Sequence, residues 1–145
     1  MKAFILSLAV LASSITALAD SPDVSEKVLH VFNNTFRDVT NVSWSSSARS
    51  YEASFELNQI PTRVSYDHEG NVLQTIRYYD GSRLPIVVLT KVTAKYADKK
   101  IFGVTELTSG DETTYHIILE DASSWVNIRS DAAGHLEIEK KLRKS

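Results

Sequence analysis

One order of apolar patterns occurs twice along this chain, and that repetition constrains the fold more than any other feature of the sequence. In the first pass, Val24, Val28, Val31, Phe32 and Phe36 recur at helical spacing around the acidic pair Asp23-x-x-Glu26. This predicts an amphipathic helix over 23–36, whose apolar stripe needs a surface to cover. Strand patterns follow. They comprise Val42 with Trp44, then Tyr51, Ala53, Phe55 and Leu57 alternating with Glu52, Ser54 and Glu56, then Val64 with Tyr66. Asp67-His68-Glu69-Gly70-Asn71 reads as a turn leading to a fourth strand over 72–79. In that strand Val72, Ile76 and Tyr78 compete with Leu73 and Tyr79 for the inner face, and the pattern leaves the register open.

In the second pass, Pro85 opens a stripe of Leu84, Val88, Leu89, Val92 and Tyr96 that ends near Asp98-Lys99-Lys100. Phe102 and Val104 come next, then Tyr115, Ile117 and Leu119, then Trp125 to Ile128. An Asp131-Ala132-Ala133-Gly134 turn and Leu136, Ile138 and Leu142 close the chain. Phe32 and Val92, Phe36 and Tyr96, Val42 and Phe102, and Trp44 and Val104 lie 60 apart. Tyr51 and Tyr115, Phe55 and Leu119, and Gly70 and Gly134 lie 64 apart. One four-residue extension, in the Thr108 to Glu112 hairpin, accounts for the difference, because polar turn residues are cheap to add there. The repeats are 23–81 and 82–145, and each is marginal alone, so the pair should share a core or a continuous sheet within one domain, 20–145.

The start of the chain states an address. Lys2, the apolar run Ala3 to Ala19 and the Ala17-Leu18-Ala19 cleavage signature predict a signal peptide over 1–19 that is removed on export. No second apolar stretch follows, so the mature product is expected to be periplasmic or secreted, with no stable membrane insertion. There is no cysteine, which excludes disulfides, thiolate metal sites, a cysteine nucleophile and a lipidated cysteine. Without Lys2 the acidic residues outnumber Lys and Arg by three, and nucleic acid is not an expected partner. The one basic cluster, Lys140-Lys141 with Arg143-Lys144, reads as a solvated C-terminal tail.

The spacing from Phe36 to Trp44, Tyr51-x-Ala53-x-Phe55, Asp67-x-x-Gly70-x-Val72 and Leu84-Pro85 to Tyr96 resembles the PepSY-like, beta-lactamase-inhibitor-protein-like (BLIP-like) domains of exported Bacteroidetes proteins. The resemblance covers nearly all of the mature chain and rests on core aromatics and turn residues. It implies an α+β fold of two tandem helix-plus-four-stranded antiparallel sheet repeats, with the helices packed on one face of the sheet. Related folds include protein inhibitors of secreted enzymes. The shared pattern contains no catalytic or ligand-binding motif, so no functional residue is carried over.

Catalytic signatures are missing from the residues themselves. Ser45-Ser46-Ser47 and Ser123-Ser124 lack a nucleophile elbow, and His30, His68, His116 and His135 fall one per element without ligand spacing. Asp67-His68-Glu69 is the most site-like cluster, but its counterpart retains only Asp131 and Gly134, which is what a hairpin requires. The expected activity is therefore that of an exported noncatalytic binding module without metal or cofactor, an inhibitor or accessory factor of another exported protein. The alternative is a structural or small-ligand-sensing periplasmic protein. The uncovered sheet face, with Glu56, Arg63, Tyr78 or Tyr79, and the nearby Arg83, is the candidate protein-binding surface.

Overall fold

The computed structural model describes residues 22–144, and the expected signal segment over 1–19 lies outside the described residues. The order of elements is α1 (Glu26–Thr35), β1 (Ser43–Ser46), β2 (Tyr51–Leu57), β3 (Ile60–Tyr66) and β4 (Val72–Tyr79). A single 3-10 turn (Gly81–Arg83) follows, then α2 (Ile86–Lys95), β5 (Lys100–Ser109), β6 (Glu112–Glu120), β7 (Ser124–Asp131) and β8 (Leu136–Arg143). The eight strands form one antiparallel sheet in chain order. Among the described residues no helix is long and apolar enough to cross a membrane.

The first helix starts later than its acidic pair suggests. Ser25 is the N-cap and its Oγ accepts from the Val28 amide at 3.4 Å, which leaves Glu26 in the first turn where a negative charge is favourable. Both helices end alike. The Phe36 amide donates to the Phe32 carbonyl at 2.8 Å, and the Tyr96 amide to the Val92 carbonyl at 2.9 Å.

Two apolar clusters form beneath the helices. Val28 and Phe32 of α1 pack with Ala53, Phe55, Val64 and Tyr66, while Val88 and Val92 of α2 pack with Val104, Tyr115, Ile117, Leu119, Val126 and Ile128. Strand register places both helices on the same side. Val64 pairs with Thr75, Thr75 with Thr108 and Tyr79 with Val104, so the inner residues of the two halves share one face.

The two clusters are joined by the β4–β5 ladder, which runs from Thr75–Thr108 to Tyr79–Val104. This corrects the expectation for the extended hairpin. Thr108, Ser109 and Glu112 are not loop residues but paired strand, with Gly110 and Asp111 alone forming the turn. The extra length carries β5 far enough to meet β4, and Ser109 Oγ donates to the Leu73 carbonyl at 3.2 Å. The basic cluster also needs correction, since Lys140, Lys141 and Arg143 lie within β8 and are not a free tail. Lys144 is held as well, its amide donating to the Ser123 carbonyl at 2.8 Å. Charged side chains on an edge strand oppose pairing with other chains, which accounts for them here.

Candidate functional site

The face of the sheet away from the helices is open, and register gives its contents row by row. At one end Lys100, Glu120, Trp125 and Leu142 pair across β5 to β8. Next comes the row of Gly103, Ile118, Asn127 and Lys140, and then that of Tyr78, Thr105, His116, Arg129 and Glu137. The fourth row is Arg63, Ile76, Leu107, Thr114 and Asp131. Large apolar groups therefore gather on the second half of this face.

Phe102 is the most exposed of them at 59%. The cause is a bulge, because the β5–β6 register shifts between Ile101 and Gly103. Ile101 stays packed on the second cluster, and the extra residue, Phe102, turns out. Its ring meets that of Trp125 edge-on, at 4.9 Å between centroids and 83° between planes, a favourable aromatic geometry. Lys144 Nζ lies 4.2 Å from the centre of the Trp125 ring and also pairs with Glu120 Oε2 at 2.9 Å. Ile118 and Leu142 are exposed beside them. Equating Phe102 with Val42 in the 60-residue spacing therefore fails in environment, since Val42 packs against the first cluster.

The expected site residues divide between the faces. Tyr78 lies on the open face, where its hydroxyl and then Glu52 raise the Arg63 guanidinium above its ordinary value. Arg63 Nη2 is 2.7 Å from Glu52 Oε1, so this pair is internally neutralised. Glu56, on β2, is exposed on the same face, opposite Pro61 and away from the Phe102–Trp125 pair of β5 and β7. Arg83 is exposed in the 3-10 turn, which Asp80 caps through the Ser82 amide at 2.8 Å. Tyr79 points the other way. It packs against the second cluster, and its hydroxyl donates to Glu106 Oε2, so it does not belong to the open face.

Other ionisable groups have evident structural roles. Asp67 Oδ1 accepts from the Glu69 and Asn71 amides at 2.9 and 2.8 Å, and Asp131 Oδ1 from the Ala133 and His135 amides at 2.9 and 3.0 Å. Hydrogen bonds from the Asn71 side chain in one turn and from His135 in the other are the largest causes holding these carboxyls below their ordinary range. His68 reaches back to the Ala48 carbonyl and lies edge-on to Tyr51. A hollow of about 420 Å³ is lined by Asp111, Glu112, Arg129, Asp131, His135 and Glu137. Glu137 is paired with Arg129 at 2.5 Å and Asp131 is committed to its turn, so these groups do not converge on a common point as a general acid and base would.

The residues that sequence reasoning missed, Phe102, Ile118, Trp125 and Leu142, carried one usable signal. Trp125 precedes Val126 and Ile128, whose alternation would have placed it outward had the inner set been known.

No protein-family model matches the sequence, and no curated protein matches it. Solved structures do. A BLIP-like protein from Bacteroides fragilis NCTC 9343 aligns with a TM-score of 0.66 at 21% identity, over 83% of this chain and 88% of that one. A DUF2874 family protein from Bacteroides ovatus ATCC 8483 gives 0.64 at 18% identity, over 81% and 86%. A presumed periplasmic protein from Bacteroides eggerthii DSM 20697 gives 0.64 at 16% identity, over 83% and 88%. At these identities the likeness establishes architecture, and the chain has the α+β fold of the BLIP-like and DUF2874 proteins of Bacteroides.

Proposed function

We propose that this chain is an exported, noncatalytic binding module whose open sheet face docks on another envelope or secreted protein, as an inhibitor or accessory factor. The observation that carries the reading is the Phe102–Trp125 pair, two large aromatic rings held in contact on a solvent-facing sheet with Ile118 and Leu142 beside them. Aromatic groups of this kind are typical anchors of protein interfaces, and a polar rim surrounds them here. The fold shared with a BLIP-like protein supports the same class of role. The halves 23–81 and 82–145 are read as copies of one unit, supported by the matched helix ends and the matched Asp67 and Asp131 turns.

A small-ligand sensor would need space between helices and sheet. Val28, Phe32, Val88 and Val92 are each 3% exposed or less there, a filled interface that supports the binding-module reading instead.

The test is in-cell photocrosslinking with a reactive side chain at Phe102 and, separately, at Glu56, followed by purification from the envelope fraction. A single protein captured from position 102, and lost on Trp125→Ala, is the expected result. Capture of the same protein at equal yield from both positions would show that the aromatic end is not the docking surface.

A further inference from the structure

We infer that this chain pairs with a second copy of itself along the free edge of β8, antiparallel and about a twofold axis between Glu139 and Lys140. Two eight-stranded sheets would thereby become one. The pairing goes beyond the open-face reading and does not rest on it.

The two edges of the sheet are protected differently. β1 is four residues long and offers little to pair with, whereas β8 runs over eight residues and is bonded to β7 alone. The chain end does not cover that edge, because Lys144 turns back, its amide to the Ser123 carbonyl and its ammonium over the Trp125 ring. Ile138 and Leu142 stand along it, 47% and 42% exposed.

The charges of β8 oppose most incoming strands, but their order admits one. Glu137 and Glu139 come first, and Lys140, Lys141 and Arg143 follow. Two antiparallel copies set the acidic half of each against the basic half of the other, whereas parallel copies would set like on like. Lys140, Lys141 and Arg143 take part in no ion pair among the described residues, so these charges are uncommitted.

The β7–β8 bulge fixes the register. Lys140 lies opposite Asn127 and Ile138 opposite Ile128, which leaves Glu139 as the extra residue. Glu139 Oε2 is 3.1 Å from His116 Nδ1 on the open face, where Lys140 also emerges. With the axis between them, Glu139 of each copy meets Lys140 of the other. Further out, Ile138 meets Lys141 on the helix side, and Glu137 meets Leu142 on the open side. In an unbulged strand Glu139 and Lys140 would leave opposite faces, and no such axis would match side chain to side chain. An axis through Glu139 or through Lys140 would oppose like charges and pair residues of unlike faces.

Sedimentation equilibrium of the chain purified from the envelope fraction tests the pairing, and introduced disulfides read its register, since the chain has no cysteine of its own. The expected result is a reversible dimer that Glu139→Lys or Lys140→Glu weakens about tenfold and the double variant restores, with circular dichroism unchanged. Mixed Ile138→Cys and Lys141→Cys chains should form a disulfide that neither forms alone. A monomer at about 1 mM chain, or a dimer indifferent to both charge reversals, overturns the inference. A dimer lost in Trp125→Ala but insensitive to the reversals would place the contact on the open face instead. Capture of a different protein, and of no second copy, by a photoreactive group at Ile138 in cells would assign the edge to a foreign strand.

Discussion

Tyr79 Oη donates to Glu106 Oε2 at 2.5 Å across the β4–β5 ladder, on the helix side of the sheet. Arg77 Nη1 reaches the other oxygen of the same carboxylate at 3.1 Å. These groups sit where the two apolar clusters part, and they tie the halves of the sheet together. Burial first, and Glu106 next, push the Tyr79 phenol above its ordinary value, so it remains a donor.

Tyr79→Phe should therefore cost about 1.5–3 kcal/mol, as expected for a hydrogen bond to a charged group, measured by urea unfolding. Binding through the open face should be unaffected in the folded protein. A variant of full stability that no longer binds would place Tyr79 on the wrong face.

Phe32 is 3% exposed and its ring lies 5.1 Å from each of those of Phe36, Trp44 and Phe55. Removing it should cost about 3–5 kcal/mol in Phe32→Ala. Trp44 belongs to this cluster and Trp125 does not, so tryptophan fluorescence of Trp125→Phe isolates the loss at its source. An unchanged unfolding midpoint would contradict the packing described.

Two glycines should respond in opposite ways. Gly134 has φ +85° and a Cβ there would lie 2.9 Å from Lys91 Cγ, so Gly134→Ala should destabilise by about 1–2 kcal/mol through the left-handed backbone alone. Gly103→Ala adds its methyl to open space in a strand and should be neutral or stabilise by up to about 1 kcal/mol. Thermal unfolding of the pair distinguishes them, and equal losses would refute the contrast.

Asp121 links two loops by receiving Lys99 Nζ, the Ser124 hydroxyl and the Ser123 and Ser124 amides, the amides each at 2.7 Å. Lys99 first and Ser124 second depress its carboxyl far below the usual carboxylate range. A depressed carboxylate contributes stability above its unfolded pKa of about 3.9 and loses it as pH falls toward the folded value. Asp121→Asn should accordingly be less stable at neutral pH and lose less stability than the parent below about pH 4, which acid unfolding by circular dichroism would reveal. Parallel acid limbs would mean that the ionised Asp121 contributes nothing.

Much of the architecture was legible because it is local. Helical spacing of Val28 and Phe32, or of Val88 and Val92, identifies both buried stripes, and Asp67 and Asp131 mark turns through bonds to amides two and four residues on. The candidate site was less legible. The outward turn of Phe102 was not legible, because a bulge reverses the side on which a residue emerges and leaves no mark in alternation, whereas that of Trp125 follows from the alternation of Val126 and Ile128 once their face is known to be the inner one.

What the sequence determined by itself was the succession of helix and strands and the inner set of most strands, since periodicity and turn chemistry act over a few residues. Pairing partners that lie far apart decided the rest. The β4–β5 ladder set Tyr78 outward and Tyr79 inward, drew the extended hairpin into the sheet, and made one continuous face of two halves. A strand carries its alternation with it, but which side becomes the core depends on the neighbour to which it is bonded, and that choice belongs to the tertiary structure.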